Sequence, residues 1–521
     1  MMPRFALLLA PLLAAACATL ETTPQQRACA GWFHELDAQI DAARVRDAQE
    51  ARIPGHPYLR VNRLLASFRN DALRDEGVLQ ALVERMQALD LAARGHEIAN
   101  LDAAVPLERV RECGARLRAA DLADARLRAR LLERATVPDD YSTALRVLGL
   151  YALTRWPFIA GVRAYQEGVR AAFRAEPGTG TVLRYGPPEA PPLPRPALAA
   201  MMQRAAENPL GIPEPQGAAL EALFAAHAPV FEIETADVYD HPGALRWRAG
   251  DFMPSLNAAE PVVYRHLAWT RYRERALPQL VYTIWFSERP PESPGDILAG
   301  KLDGVTWRVT LAPDGAPLVY DSMHPCGCFH MFFPTPRALP LPAPHGGVEW
   351  MFAPQALPAV ADGERPVVRV AARTHYVERV TLAQHAVVAA PHAGMEWMFA
   401  PQSLRAVADG ERPVVRVASR THYVERVTLA RHAVAAARYA FRPYDELRSL
   451  PRPEGGSASV FGPGDGLIAG TERPERFLFW PMGIASAGAM RQWGRHATAF
   501  VGRRHFDDAD LLEKRFALDL R

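Results

Sequence analysis

The chain has 521 residues, 49% of them hydrophobic and 23% charged, and its 60 basic and 58 acidic side chains leave a formal net charge of +2. That is the composition of an ordinary globular protein with length for two or three domains, and the balanced charge speaks against a nucleic-acid partner or a strongly acidic substrate. No GxSxG, HExxH, GxxxxGK[ST] or complete GxGxxG pattern occurs, so no local motif points to an enzyme class.

At the N-terminus, Arg4 precedes an apolar run from Phe5 to Ala16 that ends in small residues before Cys17. This reads as a secretory signal peptide over residues 1–16. Pro11 interrupts the run, which is shorter than the ~20 apolar residues of a spanning helix, so cleavage is expected and not retention as an anchor. The segment Leu13-Ala14-Ala15-Ala16-Cys17 resembles the lipobox of bacterial lipoproteins. The resemblance implies lipidation at Cys17, a tether over 17–28 and a membrane partner held through the lipid. Ala18 after the cysteine implies, on the same footing, the outer membrane facing the periplasm.

Five cysteines are present, and an exported chain can pair them. Cys29 shares a helical face with Trp32, Phe33, Leu36 and Ile40, and Cys113 lies on the stripe of Leu107, Val110 and Leu117. A Cys29–Cys113 disulfide is expected, the alternative being two buried free thiols. Cys326 and Cys328 remain for each other or for a ligand.

Residues 29–174 show helical periodicity, as in Leu79, Leu82, Val83, Met86 and Leu89, and predict a domain of five or six helices. Its most apolar stretch, Val147–Val162, reads as a buried helix kinked at Pro157, with a partly membrane-seated helix as the alternative. Residues 175–227 read as a proline-rich linker with short helices at Ala197–Glu207 and Gln216–His227. From residue 228 to 521 the period becomes two. Phe231 and Ile233, then Leu280, Tyr282, Ile284 and Phe286, then Val305, Trp307, Val309 and Leu311 form apolar strand faces. Ala312-Pro313-Asp314-Gly315-Ala316 is a turn that returns the chain along Leu318–Met323. The predicted class is α+β, a helical domain followed by a larger β-rich domain of antiparallel, sandwich-like sheet.

Inside that domain, residues 344–390 and 391–437 are tandem copies of 47 residues that differ at seven positions. Two copies are too few for a solenoid. One copy is therefore expected in the parental place, while the other projects or adds strands at an edge. Near the C-terminus, Asp507 or Asp508 is expected to cap a short helix carrying Leu511, Leu512 and Phe516. Arg503, Arg504 and His505 against Asp507, Asp508 and Asp510 predict a surface or interface ion-pair network.

The densest chemistry lies in His324-Pro325-Cys326-Gly327-Cys328-Phe329-His330. On a continuous strand the four candidate metal ligands His324, Cys326, Cys328 and His330 would share a face. His324 and His330 would then stand ~20 Å apart, too far for one ion unless Pro325 and Gly327 fold the segment back. Two cysteines closed by His375 or His422 of the repeats are more feasible, and thiolates would favour zinc or copper(I). Beyond such a zinc or copper ion no cofactor is indicated. A Cys326–Cys328 disulfide is the redox alternative, and packed thiols or a structural disulfide the plain one.

The segments YTIWFSERP, DILAGKLDGVTWRVTL, YDSMHPCGCFHMFF and WGRHATAFVGRRHFDD resemble a family of bacterial envelope lipoproteins with no assigned activity. The order of strands over 278–423 also resembles β-rich domains of a vacuolar-sorting-associated family, without its HxGDWE-like motif, and implies a β-sheet domain alone. The functional expectation is a lipid-anchored cell-envelope protein that binds or scaffolds without catalysis. The alternative is a metal- or thiol-dependent enzyme centred on Cys326 and Cys328.

Overall fold

A computed structural model of the chain describes residues 23–176, 180–191, 193–344, 347–384, 412–417, 424–430 and 435–521. The expected signal peptide over residues 1–16, Cys17 and His422 lie outside the described residues. The fold is α+β, helical first and sheet-rich after it.

Helix α1 (Pro24–Ala42) begins inside the stretch 17–28 expected to be a tether. The reason is local: the Thr23 hydroxyl accepts the Gln26 amide and the Gln26 side chain accepts the Thr23 amide, a reciprocal cap that starts the helix. A hairpin follows, β1 (Ala51–Ile53) and β2 (His56–Val61), then α2 (Arg63–Ala66), α3 (Arg69–Ala72), α4 (Glu76–Ala99), α5 (Leu107–Ala123) and α6 (Ala125–Arg134). Phe33, Leu36, Ile40, Leu82, Val83 and Met86 meet in their core, and a disulfide joins Cys29 of α1 to Cys113 of α5. The β1–β2 hairpin carries Arg60 into this layer, where it is fully buried and bonded to Asp90 and Glu97 at 3.2 and 2.7 Å.

Helices α7 (Thr143–Leu148) and α8 (Tyr151–Arg174) do not belong to that core. The helical domain expected over 29–174 therefore ends before them, and α8 packs on the sheet-rich body through Val169 and Phe173. The buried helix expected at Val147–Val162 is also corrected. Among its side chains Ile159 alone is buried, against Met482 and Val501, and the other apolar side chains stand partly or fully in solvent. An apolar run records hydrophobicity and not what covers it.

Two sheets form the body. The six-stranded sheet has the order β11 (Met331–Pro334), β10 (Pro317–Met323), β9 (Gly300–Leu311), β8 (Arg275–Arg289), β7 (Val262–Tyr272) and β18 (Ala440–Pro443). The five-stranded sheet runs β14 (Val377–Gln384), β13 (Glu364–Val370), β4 (Val230–Thr235), β3 (Thr181–Gly186) and β17 (Ala435–Arg438). The pairings are mostly antiparallel, as expected, with three parallel ones added: β17 with β3, β18 with β7 and β13 with β4. The apolar faces read from period two, including Phe231, Ile233, Leu280, Tyr282, Ile284 and Val305, meet in one core between them. The predicted 312–316 turn closes β9 onto β10, with Gly315 at φ +78°. Strand β3 lies within the expected linker 175–227, which is thus partly sheet, while α9 (Arg195–Ala205) and α10 (Ala218–His227) stand where its short helices were predicted.

The duplicated unit is divided between the sheets. Strands β13 and β14 come from the first copy and sit in the five-stranded sheet. Their equivalents in the second copy, β15 (Arg412–Val417) and β16 (Val424–Ala430), pair with each other and with no other described strand, in the same register and with a bulge at the same place. Strand β17, the end of the second copy, then returns to β3. Beyond β18 the chain is mostly turns and loops lying over the second face of the six-stranded sheet. The helix expected after Asp507 is absent. Leu511 and Leu512 are buried there from successive turns and Phe516 from the short strand that follows them, with Asp508 engaged by the His505 amide at 2.8 Å.

Candidate functional site

Strand β10 delivers the His324–His330 segment to the sheet end, and β11 takes the chain back. In between, the segment turns. The Gly327 amide donates to the His324 carbonyl at 2.8 Å, and the His324 amide to the Cys328 carbonyl at 3.0 Å. Gly327 has φ +90°, and a Cβ there would lie 2.5 Å from the Ala497 carbonyl oxygen. Glycine therefore permits both the turn and the approach of the C-terminal segment.

Folding back does not assemble the expected metal set His324, Cys326, Cys328 and His330. His324 Nδ1 lies 3.0 Å from Asp303 of β9, and His330 Nε2 lies 2.8 Å from Asp321 of β10. A buried imidazole needs a polar partner, and each histidine finds a different carboxylate. Among the described residues no three His, Cys, Asp or Glu side chains are placed to hold a metal ion. Cys326 and Cys328 are free, buried thiols. Hydrogen bonding to Cys326 and burial together push the Cys328 thiol well above its ordinary range, the opposite of what an activated thiolate needs.

His375 of the first copy does reach this segment, as a structural member. Its Nδ1 lies 2.9 Å from Asp303 and its Nε2 3.2 Å from Asp240, and its ring stacks on Phe286 at 3.8 Å. Although burial opposes the charge, the two carboxylates hold its pKa above the usual value. Burial likewise opposes ionisation of Asp303, yet His324 and Arg473 keep it well below the carboxylate range. This cluster fastens the first copy to β9.

The Asp321 carboxylate also takes two bonds from Arg308, at 2.9 and 2.5 Å, and all three side chains of the Arg308–Asp321–His330 chain are buried. Arg308 in turn lies over the Phe506 ring at 3.6 Å. Burial pushes His330 down to about 3, so its ring is neutral near pH 7. With Nε2–H given to Asp321, Nδ1 carries the lone pair.

His330 and Cys328 also line a cavity of about 630 Å³. Phe158, Gly161, Val162 and Tyr165 of α8 cover it, and Phe352, Phe479 and Phe500 complete mostly apolar walls. Its polar groups are few. The Tyr165 hydroxyl and His330 Nδ1 have no hydrogen-bond partner among the described residues. Burial raises Glu475 to about 7, while Glu349 accepts the Phe500 amide at 2.7 Å and Arg504 at 3.3 Å. A larger concavity of about 940 Å³ near the C-terminus is lined by Arg273, Arg275, Arg337 and Arg521.

Tyr165, Glu349 and Glu475 escaped the sequence reading because they come from a helix, the repeat and the C-terminal loops, and no local spacing links them. With this geometry in hand, the comparisons add no name: no family model, curated protein or solved structure matches the chain.

Proposed function

We propose that the protein is a lipid-anchored envelope protein that binds, without transforming it, an amphipathic small molecule in the cavity beneath α8. The single observation that carries this reading is an apolar cavity of ligand size into whose wall are set two polar atoms, the Tyr165 hydroxyl and His330 Nδ1, without a partner among the described residues. Its chemistry defines the ligand class. His330 Nδ1 is an acceptor, while the Tyr165 hydroxyl and Glu475, which burial raises to about 7, can act either way, so the bound molecule has an apolar body and a head that donates a hydrogen bond, a hydroxyl or an amine. The protonated Cys328 thiol offers no nucleophile at neutral pH, which favours binding over thiol catalysis.

Titration with N-phenyl-1-naphthylamine, an apolar secondary amine, tests the site. One saturable site is expected. A Cβ on Gly161 would meet nothing within 4 Å, so Gly161→Phe fills the cavity and lowers affinity by about tenfold or more. No saturable binding, or equal affinity of the variant, would sink the reading. Anchoring rests on the lipobox-like Leu13–Cys17 and is tested separately by metabolic labelling with an alkyne fatty acid, which Cys17→Ser must abolish.

A further inference from the structure

The corner between α7 and α8 exposes large apolar side chains, Leu148 at 73%, Leu153 at 69% and Trp156 at 52%. A second exposed group stands on α11 (Arg476–Phe479), with Phe477 at 70% and Leu478 at 54%. The two groups are neighbours. A Cβ on Gly149, in the α7–α8 turn, would lie 2.5 Å from Pro481, and the rings of Phe158 and Phe479 are 5.5 Å apart. Exposed apolar side chains scattered singly need no explanation, but a contiguous group on a folded surface marks a contact site.

Its surroundings identify the contact. Helix α8 carries Arg155, Arg163, Arg170 and Arg174 against one acidic residue, Glu167. Arg155 lies over the Trp156 ring at 4.6 Å and Arg476 over Phe477 at 4.8 Å. Tryptophan beside arginine, at the end of a basic helix, is the chemistry of the membrane interface, where the ring enters the headgroup layer and the cation meets lipid phosphate. The patch is also continuous with the cavity, because Leu478 belongs to the exposed group and to the cavity wall.

We propose that this rim, formed by α7, the start of α8 and α11, docks on the surface of a bilayer containing anionic lipid and presents the cavity to it. Among the described residues no helix is long and apolar enough to cross a membrane, and the rim inserts only side chains. The rim is a second contact, separate from the lipid on Cys17, and it stands whether or not the cavity takes the proposed ligand.

Vesicle co-sedimentation tests it on the chain from Ala18 onward, which keeps every described element and carries no acyl group. The protein is expected to sediment with phosphatidylcholine vesicles containing phosphatidylglycerol, to bind pure phosphatidylcholine more weakly, and to shift its tryptophan emission to the blue on binding. Leu148→Glu, Leu153→Glu and Phe477→Glu change exposed side chains and should leave the circular dichroism and Tm unchanged. Each is expected to lower the vesicle partition coefficient by about tenfold. Absence of vesicle binding by the parent chain, or binding unchanged in all three variants, overturns the proposal. So does a dimer in light scattering that these variants abolish, without vesicle binding, because the rim would then face a second copy. Failure of naphthylamine binding with vesicle binding intact would count against the cavity ligand alone.

Discussion

Arg308 shows what a single charge asks of this fold. It is fully buried, and its compensation comes from two bonds to Asp321, one to the Phe506 carbonyl at 2.5 Å and the Phe506 ring. Burial raises the cost of ionising Asp321, but Arg308 and then His330 keep it below its ordinary pKa. Asp321→Asn keeps the shape and removes the charge, leaving the guanidinium without its counter-ion. The expected loss of unfolding free energy is about 3–5 kcal/mol, since breaking a buried pair costs more than never having had it. The double variant Arg308→Met with Asp321→Asn should recover part of that loss. Chemical denaturation of both proteins checks this, and a double variant less stable than the single one would show that packing of the arginine stem matters more than its charge.

The elements differ in how well the sequence disclosed them. Strands β8 and β9 were legible because one buried face of each is apolar while the other, also buried, carries polar side chains such as Thr283, Thr306 and Arg308, so Leu280, Tyr282, Ile284, Val305 and Val309 write a period of two. The Cys29–Cys113 pairing was legible because each cysteine sits on the apolar stripe of its own helix. The burial of α8 is not legible, because exposed Leu153 and Trp156 count the same in the sequence as buried ones. The candidate site was the least legible part: the cysteine and histidine spacing suggested a metal, whereas the partners of His324 and His330 are carboxylates 21 and 9 residues away. The duplication was plain in the sequence, and its topology was not. Strands β13 and β14 from the first copy and β17 from the second share one sheet, so a single unit would supply both if the intervening repeat were removed. Deleting residues 388–434, one repeat length, joins Val387 to Ala435 in the parental frame. We expect an exported, soluble protein with a Tm within about 5 °C of the parent, a shift that corresponds to at most a few kcal/mol. An insoluble product would show that the β15–β16 hairpin supports the sheet.

At the scale of the whole molecule, ion pairs hold distant segments together. Arg63 of α2 reaches Asp140, Asp507 and Asp508, Arg448 is buried on Asp47 and Glu50, and His505 lies between Asp139, Asp140 and Asp508 at 3.4–3.5 Å. The cluster expected around residues 503–510 is thus an interface network. Burial opposes charge on His505, but hydrogen bonds to Asp140 and Asp508 raise it to about 9. A pKa raised on folding gives stability that is complete below the unfolded value and fades as pH rises through the folded one. For His505 the window is about pH 6.5 to 9 and the full contribution about 3 kcal/mol. Glu50 and Glu475, both raised by burial to about 7, fade in the same direction over about pH 4.5 to 7. His227 and His496, lowered by burial to about 4, act in the opposite sense. Their stabilisation is complete above about pH 6.5 and is lost as pH falls through about 4. The two groups oppose each other below about pH 7. Above it the raised histidines, His505 and His375, are left, until thiols ionise in the unfolded chain near about pH 8.5. Unfolding free energy should therefore fall by about 1–2 kcal/mol between about pH 7 and 8.5, and His505→Gln should make that slope shallower while lowering stability at pH 7. Urea titrations across that range decide it, because an equal slope in the variant would assign the pH dependence to other groups.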